Sequence, residues 1–353
     1  MLSRTVSFNE LSLNDKKTWR SYVGAQSFPS PLNDPDYFSF LRKSGQKIDI
    51  LIGLEGDEPV VFIPFQPRSD SGVEPVALEV SDCSQVISKP NYSFDPVALL
   101  KSAGVRYYSF DHLFDQSGFD PEKYSYYQDD CYLIRLQAGY EAYVQDLNAN
   151  SSSLISQSNR KRRKLDREVG TVRFEYREPD LGLIEKMLAW KVEQLNHQGF
   201  QHCFDQAWVQ TFMESQLTMK SNSAKGLFSV LYAGRDIAAM HFGTIGYQTI
   251  NSWIPVVNPQ HAKYSPAVIL YLELARKADE DGVENIILGR GENQTKRRIA
   301  NASAPNYVGM ISHGLIRSSK FFAMRSLYRF FRSRWGKGIH SSLRNLRQKL
   351  KRN

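Results

Sequence analysis

The residues able to do chemistry gather in a few short stretches. The first is His261-Ala262-Lys263-Tyr264-Ser265-Pro266-Ala267, which leads into an apolar segment of helical period. A helix opening near Ser265 would carry Pro266 in its first turn, where proline is tolerated. Such an end presents free N–H groups and the positive end of the helix dipole to an anion. Lys263, Tyr264, Ser265 and Ala267 are therefore candidate anion-binding residues, with His261 on the approach. The second stretch is Gly289-Arg290-Gly291-Glu292, a tight loop after an apolar run, with Lys296 beyond it. Glycines there allow positive φ and close ligand approach. Arg290, Gly291 and Lys296 are candidates to meet phosphate or an acidic group.

His241 sits inside the run Ala238-Ala239-Met240-His241-Phe242-Gly243. Facing a cleft, it would be a base titrating near neutral pH; the competing reading is a buried histidine satisfied by one backbone bond. Tyr264 and Trp253 are candidate aromatics for an acceptor pocket, and Tyr264 joins His241 as a candidate catalytic group. Glu193 and Asp205 are alternative carboxylates. Arg160, Lys161, Arg162, Arg163, Lys164 and Arg167 form a basic run that reads as a solvated helix face rather than a nucleic-acid site. No metal-ligand spacing and no Gly-x-Ser-x-Gly elbow occurs, so no metal site is expected.

These residues need elements to hold them. Asp36–Lys43 reads as a helix, Ile48–Leu54 and Val60–Pro64 as a hairpin, and Leu78–Val80 and Gln85–Ile87 as short strands. A helix over Pro96–Ala103 and strands over Val105–Phe110 and Tyr132–Leu136 follow. Gly139–Leu147 is a helix leading to the basic one, which ends at Gly170. The second half reads more sharply: strand Thr171–Tyr176, helices capped by Asp180 and Asp205, strands Leu227–Tyr232, Ile237–Ile245 and Thr249–Val257. A helix from Ser265 to Asp281, a strand Glu284–Leu288, a short helix Glu292–Ala300 and a strand Asn306–Ser312 complete it. No internal repeat is visible in the residues.

The chain has 353 residues, 41% of them hydrophobic and 23% charged, a globular composition. The net charge of +8 is unevenly spread. Residues 315–353 hold 12 Lys/Arg and no acid, which leaves 33 basic against 37 acidic residues elsewhere. Phe321, Phe322, Met324, Leu327, Tyr328, Phe330, Phe331 and Trp335 are interleaved with that charge, the composition of an interfacial helix. No apolar run is long enough to span a membrane and no secretory signal opens the chain. Cys83, Cys131 and Cys203 have no paired spacing, so the expected setting is a reducing cytoplasm.

The element order of the second half is similar to the GNAT acyltransferase fold. Asn159–Gly170 (NRKRRKLDREVG), Leu231–Ala239 (LYAGRDIAA), Tyr264–Ala267 (YSPA) and Leu288–Lys296 (LGRGENQTK) together resemble the CelD-like acetyltransferases. Phe110-Asp111-His112-Leu113 extends the resemblance into the first half. That family is associated with cellulose and exopolysaccharide production and is similar to the Fem transferases, which pair two GNAT-like domains. The resemblance implies an α+β fold of tandem GNAT-like domains, with mixed, mainly antiparallel sheets flanked by helices. It implies a degenerate domain over 1–150, a catalytic one over 151–314 and a basic helical tail over 315–353.

It implies acetyl-CoA or another acyl-CoA as co-substrate, bound by Lys263, Tyr264, Ser265, Ala267, Arg290, Gly291 and Lys296. The implied acceptor is an amine or hydroxyl of a sugar or lipid-linked sugar. The tail adds an expected contact with the anionic inner membrane. This loop departs from the usual Gln/Arg-x-x-Gly-x-Gly/Ala in lacking both glycines. A Fem-like transferase using aminoacyl-tRNA and a non-catalytic scaffold at the membrane are the alternatives.

Overall fold

The computed structural model describes residues 1–26, 28–81, 86–114, 118–150, 153–178, 180–291 and 293–313. The tail expected over 315–353, Cys83 and Glu292 lie outside them. The chain runs twice through one order of elements. The first pass is β1 (Leu2–Ser7), α1 (Leu13–Gly24), α2 (Pro35–Lys43), β2 (Asp49–Glu55), β3 (Glu58–Pro67), β4 (Val73–Glu74), an extra short strand β5 (Ile87–Ser88), α3 (Pro96–Ser102), β6 (Tyr107–Phe114), α4 (Pro121–Tyr124) and β7 (Ser125–Arg135). Helices α5 (Tyr140–Asn150) and α6 (Leu154–Glu168) connect it to the second. The second pass is β8 (Val172–Glu175), α7 (Gly182–His197), α8 (Ala207–Thr218), β9 (Lys225–Ala233), β10 (Asp236–Gly246), β11 (Thr249–Val257), α9 (Pro266–Glu280), β12 (Asn285–Arg290), α10 (Gln294–Ile299) and β13 (Ala302–Ser312).

The strands form one path, β1-β2-β3-β4-β6-β13-β7-β12-β11-β10-β9-β8, with β5 on β3. It reads alike from both edges except at the centre, where the last strands are exchanged: β13 pairs with β6, and β7 with β12. The parallel pairs, β4 with β6 and β11 with β12, hold matching places. Matching bulges follow: β6 slips register between Phe110 and Leu113, and β12 between Ile287 and Arg290. Each bulge contains a left-handed residue, His112 at φ 69° and Gly289 at φ 74°. So a repeat exists in structure although no residue pattern betrays it.

Helices α1, α2, α7 and α8 share one core on one face, from Trp19 and Phe62 through Tyr37 to Phe212, Phe228 and Phe242. On the other face α5, α6 and α9 bury Tyr143, Leu147, Leu154, Leu165, Leu270 and Leu274 against the second half. Helix α3 does the same for the first half with Leu99 and Leu100. Most expected elements are present, with shifted ends. Leu78–Val80 is a turn, not a strand, and Asp205 does not cap α8, whose N-cap is Gln206. β1 and α1 were not anticipated.

Candidate functional site

Strands β11 and β12 pair through Thr249–Asn251 with Asn285–Ile287 and then part. Two local features drive them apart. In β11, Ser252 opposes Gly243 and Ile254 opposes Phe242, which leaves Trp253 as an extra, bulged residue. In β12, left-handed Gly289 lets the strand slip onto β7. Because the strands are parallel, their C-terminal ends lie at one end of the sheet. Helix α9 starts at that end, through the 3-10 turn Pro259–Tyr264.

The start of α9 is tightly built. Ser265 takes the left-handed conformation, φ 52° and ψ 53°, without the help of glycine. Its carbonyl receives the N–H of Val268 and of Ile269. Pro266 has no N–H, and helix geometry leaves that of Ala267 without an intrahelical acceptor. Helix α6 crosses this end. Its buried face is Leu154, Ser158 and Leu165. Lys161 falls on the same stripe, and its Nζ donates to Ser265 Oγ at 2.6 Å. Arg162 reaches Glu273 of α9 at 3.6 Å. The Tyr264 hydroxyl donates to Glu168 Oε2 at 2.7 Å, and Lys263 Nζ lies 3.5 Å from that oxygen. The hydrogen bond from Tyr264, with Lys164 and Lys263 nearby, holds the Glu168 carboxyl below the usual range.

The structure gathers four of the expected residues, Lys263, Tyr264, Ser265 and Ala267, around one helix start. Arg290 ends β12 and Gly291 follows it, at that end of the sheet. Gly291 is left-handed, φ 81°. Lys296 lies in α10, where its backbone N–H is capped by Asn293 Oδ1 at 2.8 Å. Tyr264 is buried, and its hydroxyl is already committed to Glu168.

His241 does not face a cleft. It is wholly buried between β10 and α9, its Nε2 3.0 Å from Ser252 Oγ, which also bonds the Tyr271 hydroxyl. Its Nδ1 has no partner. Burial pushes its pKa down to about 3, so the ring is neutral and shut off from solvent protons. Trp253 packs on Phe204, Phe212 and Phe242. Glu193 is exposed on α7. Asp205 lies on a cleft of about 230 Å³ between α7 and α8, with Glu185, Leu188 and Phe204. Lys161 was missed as a site residue. Its place on the buried stripe Leu154, Ser158, Lys161, Leu165 was the available signal. No group of metal-binding side chains occurs among the described residues, nor any helix long and apolar enough to cross a membrane.

Residues 152–297 match the acetyltransferase (GNAT) domain family. That segment is a GNAT acyltransferase domain. The matched residues take in the basic helix α6. The whole fold is similar to the crystal structure of FemX, at 8% identity and TM-score 0.61, over 91% of this chain and all of that one. It is also similar to the C-terminal domain (DUF2156) of a protein described as a lysylphosphatidylglycerol synthetase, from Agrobacterium fabrum. That likeness has 12% identity and TM-score 0.52, over 89% of this chain and 96% of that one. No curated protein sequence matches the chain.

Proposed function

We propose that this GNAT acyltransferase takes its acyl group from acetyl-CoA or another acyl-CoA and passes it to an amine or hydroxyl of a sugar or lipid-linked sugar, in polysaccharide synthesis. The observation that carries the donor is the parting of β11 from β12 with the start of α9 at the open end. A slender donor arm would lie where the ladder between β11 and β12 stops, while its pyrophosphate meets N–H donors and the positive helix end. Edge groups of the same strands can bind the thioester oxygen as charge builds on it. Lys263, Ser265, Ala267, Arg290, Gly291 and Lys296 would then surround the donor. The sugar acceptor rests on the motifs that resemble the CelD-like family, and the cleft beside Asp205 is its candidate seat. The basic tail would hold the enzyme at an anionic inner membrane, on the cytoplasmic side.

The test is calorimetric titration with acetyl-CoA and CoA, followed by thiol release against a panel of amino sugars, nucleotide sugars and lipid-linked sugars. Saturable binding with acceptor-dependent release of CoA is expected. A folded protein that gives no heat with either ligand would sink the reading. One observation favours a second donor, aminoacyl-tRNA: the exposed cations Arg160, Arg163, Lys164 and Arg167 beside the site. Binding of tRNA with a steep salt dependence, in place of CoA binding, would support it.

A further inference from the structure

Lys161 is placed against the usual electrostatic rule. Helix starts favour anions and helix ends favour cations. Yet Lys161 directs its ammonium at the amino end of α9, on a neutral hydroxyl. Among the described residues no carboxylate lies within 4.0 Å of it. The carboxylates nearby are engaged elsewhere: Glu168 by Tyr264 and Lys263, and Glu273 by Arg276 and Arg162. Lys161 is half-buried, on the stripe of α6 between Ser158 and Leu165, and its amine is held by the bond to Ser265. A lysine fixed there faces a helix dipole of its own sign with no internal anion to offset it.

We infer that Lys161 is the donor-phosphate residue of this enzyme, and that it compensates for a loop with no glycines. A glycine loop holds pyrophosphate by close backbone approach. Here Ser265 keeps the left-handed turn, its side chain bars the closest approach, and a lysine from α6 supplies the charge instead. On binding, the ammonium exchanges its bond to Ser265 Oγ, or shares it, with a pyrophosphate oxygen. The anion satisfies Lys161, Ser265 and the Ala267 N–H at once. The inference rests on the acyl-CoA reading for the ligand, and on the geometry of α6 and α9 for the residue.

The experiment is CoA binding by calorimetry across a salt series, for wild type, Lys161→Met and Lys161→Arg, with inorganic pyrophosphate as competitor. Methionine keeps the stem on the buried stripe, and a thermal melt reports that the variant is folded. Lys161→Met is expected to weaken CoA by about tenfold or more, to lower the salt slope by about one and to make pyrophosphate a poor competitor. Lys161→Arg should restore most of the affinity. A merely structural role would leave the salt slope unchanged. Equal CoA affinity and equal slope in wild type and Lys161→Met would overturn the inference and leave the acyl-CoA reading standing. Failure of wild type to bind CoA, with pyrophosphate still raising its melting point through Lys161, would keep the inference and remove that reading.

Discussion

Burial makes His241 a pH-sensitive part of the core. Its folded pKa falls to about 3 from 6.5. Between those values the unfolded chain binds a proton that the folded chain refuses. Stability is therefore complete above about pH 6.5 and is lost as pH falls, by about 1.4 kcal/mol per unit once well below it. From about pH 7 to about pH 5.5, urea unfolding should cost wild type about 1 kcal/mol more than it costs His241→Gln. Equal losses would show that the ring already titrates in the native state. The same variant should keep acyltransfer within a few-fold, since the ring meets no solvent. A histidine in an apolar run was legible as either base or core, and only the partner helix decides. Ser265 was less legible still: nothing in Tyr-Ser-Pro-Ala says that the serine turns left-handed. That conformation costs a non-glycine residue about 1 kcal/mol. Ser265→Gly should therefore melt no lower than wild type.

Elements with strong period were readable from the residues, and elements defined by a partner were not. Helices α7 and α9 carry apolar residues at helical spacing, and β9, β10 and β11 are apolar runs between turn residues. Strand β7 is longer than its apolar part. Tyr126–Asp130 alternates no hydrophobic side chains and is a strand because β13 lies along it. The basic run of α6 reads as a solvated face because five of its six cations are exposed, while Lys161 alone falls on the packed stripe. Tyr264 illustrates the same limit. It was an aromatic of uncertain duty in sequence, and in structure it staples the 3-10 turn to the end of α6 through Glu168. Tyr264→Phe and Glu168→Leu should each lower the midpoint of denaturant unfolding, and the double variant by less than the sum. Full additivity in denaturant titrations would mean that the staple does not hold in solution.

At the scale of the molecule the two passes are interlocked and not merely joined. The second pass takes β7 from the first to cover β12, and lends β13 to lie between β6 and β7. A boundary near residue 150 is natural in sequence, because composition changes there, yet a fragment cut at that point loses the strand beside its own site. A second set of ties joins the halves at the hairpin between β10 and β11. The Tyr247 hydroxyl donates to Asp34, whose side chain is wholly buried and also receives Arg20 at 3.1 Å and the Asp36 N–H at 2.7 Å. Ser221 bonds Asp36, and Ser30 bonds Asn251 of β11. Thus β11, the strand that parts from β12, is anchored to the first half. Residues 151–313 expressed alone should fail to show a cooperative melt, and co-expression with residues 1–150 should restore one. In the full chain, Asp34→Ala leaves the Tyr247 hydroxyl and the Asp36 N–H without their acceptor while Arg20 keeps Asp36, and should cost about 2 kcal/mol. Tyr247→Phe removes one bond to the same carboxylate and should cost about 1 kcal/mol. A fragment 151–313 that melts cooperatively and binds CoA as the full chain does would show instead that β12 needs no partner from the first half, and that the exchange of strands is a matter of packing alone.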